Sequence, residues 1–123
     1  MEQQDDRFDL HVTAADGVVE IRVTGEIDIA TVTAFRAVLW AQPPQVVLRL
    51  DMSGVRLLSA AGVRTLAAAH LRLRATGGQL VLVDPPPIVG AVLRSTRLHR
   101  VIPVVGSAGA TRPVPGHRSL ALV

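Results

Sequence analysis

Leu48-Arg49-Leu50-Asp51-Met52-Ser53-Gly54-Val55-Arg56-Leu57-Leu58-Ser59-Ala60-Ala61-Gly62-Val63 is the stretch whose reading decides the fold. With Val46 and Val47 before it, its first part is a nearly continuous apolar run, as expected of a central parallel strand. Asp51 to Gly54 reads as a polar turn, with Asp51 suited to Asx-type hydrogen bonding. Ser59 then reads as the N-cap of an Ala-rich helix from about Ala60 to Thr76. Val63, Leu66, Ala67, His70 and Leu73 fall along one stripe of that helix. Gly77-Gly78 stops it.

Working outward, Phe8, Leu10 and Val12 alternate with Asp9, His11 and Thr13, the pattern of a half-buried strand. Ala15-Asp16-Gly17 is a turn. Val19, Ile21 and Val23 alternate with polar residues up to Gly25, which ends a second strand and completes an antiparallel hairpin. Asp28 is placed to cap a helix with Val32, Phe35, Val38 and Leu39 on its apolar face, stopped by Pro43-Pro44. Past the central unit, Leu80 to Val83 is a further buried strand. Asp84 is placed to cap a third helix entered through Pro85-Pro86-Pro87, with Ile88, Val92 and Leu93 inward. Val101-Ile102-Pro103-Val104 reads as a short edge strand, where proline is tolerated. The expected fold is α/β, one domain with a mixed sheet, in the order β-β-α-β-α-β-α-β. The boundaries are an N-terminal segment 1–7, the domain 8–104, and a loose basic tail 105–123 rich in Gly, Ser, Pro and Arg.

Composition narrows the function classes. The chain has 123 residues, enough for one core. Apolar residues make up 49% and aromatics only 2%, so that core is built from Val, Leu, Ile and Ala. There is no cysteine, which excludes disulfides and thiolate metal sites. No apolar run approaches the roughly 20 residues of a membrane span. The first six residues are acidic and polar, unlike a signal peptide, so a cytoplasmic location is expected. All 13 basic residues are Arg; residues 1–84 sum to −2 and residues 85–123 to +5. Five Arg spread over that second segment make no dense patch, and no direct nucleic-acid contact is expected.

Gly25-Glu26-Ile27-Asp28, then Asp51-Met52-Ser53, the Gly62-containing helix start, Gly77-Gly78 and Leu98-His99-Arg100-Val101-Ile102-Pro103 occur in an order that resembles the STAS domain. This is the fold of bacterial anti-sigma factor antagonists, and the resemblance covers roughly residues 8–104. It implies a regulator of transcription that binds an anti-sigma factor of the histidine-kinase-like ATPase fold and so frees a sigma factor. No reaction, cofactor, metal or membrane contact is implied, and a homodimer is left open. The partner-binding residues implied are Asp28, Asp51, Ser53, Ser59, Ala60, Ala61, Gly62 and Arg64.

One position departs from the family pattern. Members carry Asp-Ser-Ser-Gly or Asp-Ser-Ala-Gly at the helix start, and a partner kinase phosphorylates the first serine. Alignment through Gly62 puts Ala60 on that acceptor and Ser59 on the Asp. Alanine has no hydroxyl to phosphorylate. Ser59 is therefore either a cap alone or an acceptor displaced by one residue, and Ser53 or Thr65 remain further hydroxyls. Leu57 replaces a common aromatic. The expectation is an antagonist active at all times or controlled by abundance.

Two rivals are answered by the residues. Ser59 and His70 lie roughly 16 Å apart along one helix, too far for a nucleophile–base pair, and no phosphate loop or nucleophile elbow occurs. A response-regulator receiver needs a lysine, and the chain has none. His11, His70, His99 and His117 have no metal-ligand spacing, and Trp40 reads as core edge. The surviving alternative is a STAS scaffold or regulatory subunit of a stressosome or transporter complex.

Overall fold

The computed structural model describes residues 8–106. Residues 1–7 and most of the expected tail, including His117, lie outside the described residues. The strands are β1 (Phe8–Ala15), β2 (Val18–Ile27), β3 (Val47–Leu58), β4 (Gln79–Val83) and β5 (Val104–Val105). The helices are α1 (Val32–Trp40), α2 (Ala60–Ala75) and α3 (Pro87–Ser95), followed by a 3-10 turn at Leu98–Arg100. One five-stranded sheet runs in sequence order, with β1 antiparallel to β2 and every later pair parallel. The mixed α/β order matches the sequence reading.

The hairpin closes as its residues require. Asp16 (φ 53°) and Gly17 (φ 81°) both occupy the left-handed region between paired Ala15 and Val18. A two-residue turn with both central φ positive matches the twist of the strands it joins, and Asp-Gly tolerates it.

Two strands run further than expected. Gly25 does not end β2, which continues to Ile27, and Asp51–Gly54 is not a turn but part of β3. Register shifts between Arg22 and Thr24 and between Gly25 and Glu26 explain both. Each adds a residue to β3 opposite β2, and Gly25 (φ 102°) supplies the backbone freedom at the second. The ladder then resumes to Ile27↔Leu58, so strand pairing satisfies backbone that a local turn would otherwise have to satisfy.

The inward residues of β2, β3 and β4 form one core with Phe35 and Leu39 of α1, Leu66, Ala69 and Leu73 of α2, and Val89 and Leu93 of α3. Val81, Val83 and Val105 point to the opposite face and make a small separate cluster with Val47. Helix α3 enters with its N-cap at Pro86, not Asp84, and buries Val89 and Leu93. Ile88, expected inward, is 60% exposed. Residues 89 and 93, four apart, share the inward side of the helix, and Ile88 is turned away from it. The last strand lies at Val104–Val105, one residue past the expected domain edge, with Ile102 fully buried before it.

Helix α2 ends as its glycines dictate. Gly78 N–H donates to Leu73 O at 2.7 Å and Gly77 N–H to Arg74 O at 3.2 Å, with Gly77 at φ 85°. This paired pattern is a Schellman cap. Among the described residues, no helix is long and apolar enough to cross a membrane.

Candidate partner-docking site

Parallel strands deliver their C-terminal ends to one rim of the sheet, and the β2 and β3 ends meet there. Ser59 N–H donates to Ile27 O at 2.9 Å, joining the start of α2 to the end of β2. Ser59 stays extended (ψ 173°), and its hydroxyl oxygen accepts from Gly62 N–H at 3.2 Å. The expected cap is present. The first turn of α2 holds no acidic residue, so the positive end of the helix dipole is not neutralised from within.

Gly62 is buried against Ile27 and Leu58. A Cβ there would lie 2.7 Å from Leu58 Cδ1 and 2.8 Å from Ile27 Cγ2. The helix start is thus pressed onto the strand ends as only glycine allows. Ala60 and Arg64 face solvent, while Ala61 is half-buried.

Asp28 belongs to the same rim but does not cap α1. Its Oδ1 accepts from Ala30 N–H at 2.9 Å and Thr31 N–H at 3.1 Å, forming an Asx turn ahead of the helix. The N-cap position falls to Thr31, whose hydroxyl accepts from Asp28 N–H at 3.0 Å and donates to Glu26 O at 2.7 Å. The intervening turn leaves Ile29 79% exposed. Leu57, at the end of β3 and paired with Glu26, is 40% exposed. Ile29 follows Ile27, whose carbonyl accepts from Ser59 N–H, by two residues, and Leu57 precedes Ser59 by two, so both belong to the same end of the sheet. Sequence reasoning did not single out Ile29, because its exposure is set by the turn at Asp28–Thr31 and not by any pattern in the residues.

Asp51 and Ser53 are not brought to this rim. Asp51 pairs with Arg22 and Val83 in the sheet interior, eight residues before Ser59 on an extended strand. Its side chain lies on the face that carries no helix, where Oδ1 accepts from Ser53 N–H at 3.0 Å and Oδ2 is 4.0 Å from Arg22 Nε. The Asx hydrogen bond foreseen for Asp51 is made, inside a strand and not a turn. Thr65 is withdrawn as well. It is buried, and its hydroxyl donates to Ala61 O at 3.0 Å.

Trp40 packs at the core edge, half-buried, with the guanidinium of Arg36 4.5 Å from its ring centre and that of Arg72 at 5.5 Å. Among the described residues, no group of three or more His, Asp or Glu is placed to hold a metal ion.

A five-stranded mixed sheet with this order, and a glycine-tight helix start at its rim, defines a STAS domain, and the family described as Mlab, STAS domain matches residues 10–105. The chain belongs to the STAS domain family. It is 30% identical to an anti-sigma factor antagonist from Mycobacterium paratuberculosis, over 80% of this chain and 86% of that one, with a TM-score of 0.71. The anti-sigma factor antagonist SpoIIAA in its unphosphorylated form is 20% identical and covers 94% of this chain and 98% of its own, at a TM-score of 0.69. A putative antagonist from Thermotoga maritima has a TM-score of 0.70 at 19% identity, covering 80% of this chain and 86% of that one. No curated protein matches the chain by sequence.

Proposed function

We propose that this protein is an anti-sigma factor antagonist that docks an anti-sigma factor of the histidine-kinase-like ATPase fold through the rim formed by Asp28, Ile29, Leu57 and Ser59–Arg64. The observation that carries the reading is the rim itself. It combines two exposed apolar side chains, a helix whose own first turn holds no acid, and an outward arginine. An apolar centre with polar surroundings is the composition of a recognition surface. The 30% identity to a mycobacterial antagonist supports the same reading. The protein performs no reaction in this scheme and acts in the cytoplasm, where the sigma factor works.

Ala60 makes the docking insensitive to the family's usual switch. A phosphoryl group adds about −1.5 to −2 charges, and a surface that closes on a partner cannot solvate them. With no hydroxyl at position 60, the partner kinase has no substrate there, and the antagonist stays in its binding state. The missing hydroxyl equally suits a second reading, a constitutive STAS subunit of a stressosome or transporter complex.

The test is capture of partners from the native cytoplasm, then incubation of the captured kinase and ATP with the wild-type protein and with Ala60→Ser. Intact mass should show no phosphate on the wild type and one on the variant. Recovery of transporter or stressosome proteins without any kinase-fold protein favours the second reading. A stoichiometric phosphate on the wild-type chain overturns the constitutive scheme.

A further inference from the structure

Strands β2 to β5 pair in parallel, and parallel sheets are stable when both of their faces are covered. Here the buried residues of all three helices, from Phe35 in α1 to Leu93 in α3, join the core on one face. Among the described residues, no helix contributes to the cluster on the other face. Yet Val81 and Val83 of β4 and Val105 of β5, on that second face, are 9%, 6% and 9% exposed. The two residues of β5 make the sharpest comparison, because β5 is the edge of the sheet. Val104 is in register with Leu82 on the helix side, and Val105 with Val83 on the other. Val104 is 37% exposed although helices lie on its side, whereas Val105 is 9% exposed. A bare second face would give the reverse order. The cover on Val105 therefore comes from outside the described helices and strands.

Val105 itself leads into residues 107–123, so that segment departs from the edge of the face in question. Leu120 lies fourteen residues beyond Gly106, and an extended chain of that length reaches up to about 46 Å. The face from β5 to β2 is three strand spacings wide, about 14 Å. Pro115-Gly116 is a turn signal that can bring the chain back on itself. Leu120 and Leu122, two apart, share one side of an extended segment. The segment carries Arg112, Arg118 and no acid. The face offers it two carboxylates, Asp51 in register with Val83 and Glu20 in register with Arg49. Arg22 approaches that of Asp51 only to 4.0 Å. We propose that residues 107–123 turn back from β5 and cover the helix-free face, with Leu120 and Leu122 on Val81, Val83 and Val105. The segment is then a second layer of the domain and not a loose tail. The inference is independent of the docking rim, which lies at the end of the sheet and not on this face.

The test uses the full chain with labelled methyl groups. Nuclear Overhauser contacts should run from the Leu120 and Leu122 methyls to those of Val83 and Val105, and should be absent between chains in a mixture of labelled and unlabelled protein. Leu120→Ser combined with Leu122→Ser should lower the melting temperature by about 8 °C or more. The same double variant should open the Val83 and Val105 methyls to a dissolved paramagnetic probe, while the Leu80 and Leu82 methyls on the helix side stay protected and report an intact fold. Contacts to Val83 and Val105 from residues 1–7 or from a second chain, in place of Leu120 and Leu122, overturn the proposal. So do leucine methyls at 120 and 122 that touch nothing on this face.

Discussion

Substitution at Ser59 separates the two roles that one side chain holds. As a cap, its hydroxyl satisfies Gly62 N–H at 3.2 Å, the one side-chain hydrogen bond at the start of α2. Ser59→Ala removes it, and such losses cost about 1 kcal/mol. In a domain of this size that lowers the melting temperature by about 4–8 °C. Ser59→Asp restores an acceptor of equal capping quality and adds a negative charge to a first turn that has none. Its stability should therefore stay within about 0.5 kcal/mol of the wild type. Binding should follow the opposite order. Alanine is small and uncharged at the rim and leaves partner affinity nearly intact. Aspartate places an ion on the proposed docking rim, where a bound partner would strip its water, and affinity falls about tenfold or more. Chemical denaturation followed by far-UV circular dichroism reads the first effect, and calorimetric titration with the captured anti-sigma factor reads the second. Wild-type affinity in the aspartate variant would remove Ser59 from the interface. An aspartate variant less stable than the alanine one would refute the capping geometry.

The glycine pair closing α2 offers a comparison in which neighbouring substitutions fail for different reasons. Gly77→Ala forces a left-handed backbone (φ 85°) on a residue with a Cβ, but has room for it, and should cost roughly 1–2 kcal/mol, largely recovered by Gly77→Asn. Gly78→Ala would put a Cβ 2.5 Å from the backbone oxygen of Val46, which also accepts from Gln79 N–H at 3.0 Å. Its cost of about 1–3 kcal/mol should not be recovered by Gly78→Asn, as denaturant midpoints of the four variants will show. Acidification tests His70. Its folded pKa is depressed, first by burial and then by Arg74, so the unfolded chain binds the proton more readily. Stability from this residue is full above the ordinary value of 6.5 and declines as pH falls below it toward the lowered folded value. Unfolding midpoints measured on both sides of that value should show this fall in the wild type and a smaller one in His70→Gln.

The parts of the fold that were legible are those whose residues answer to local physics. Alternation in β2, the Asp16-Gly17 turn, the Ser59 cap and the Gly77-Gly78 stop each follow from backbone freedom or side-chain period, and each is found in place, whereas alternation in β1 holds only as far as Leu10 and Val12 is 41% exposed. The errors lie where a partner strand overrides local preference. Asp51, Ser53 and Gly54 are turn formers, yet β2 pairs beside them, and two register shifts let β3 run on to Leu58. Asp28 makes the hydrogen bonds foreseen for it, but to a turn that precedes the helix, because Thr31 sits one turn nearer and reaches back to Glu26. Ile88 was misphased by one residue because proline fixes the helix start without marking which side faces inward. Of the residues named for partner binding, Asp28 and Ser59–Gly62 lie at one end of the sheet, whereas Asp51 and Ser53 do not. The exposed Ile29 carries no sequence signal at all, since exposure of an apolar residue is set by where the chain turns.

The one-residue offset between Ser59 and the family's acceptor is larger in space than in sequence. Successive residues on a helix are turned by about 100° around its axis. Ser59 stands just outside the helix with an extended backbone, its oxygen directed back at Gly62 N–H, and is half-buried. Ala60, the first helical residue, faces solvent. A kinase that reads a side chain projecting from the first turn meets a methyl group at position 60. To reach the hydroxyl at 59 it would have to take the oxygen away from the helix end that holds it. The capping bond is modest, so its energy alone would not protect Ser59; the direction of the hydroxyl and its partial burial do. On the reading proposed above, a serine at 59 does not stand in for one at 60, and Ala60→Ser is the change that would restore the acceptor.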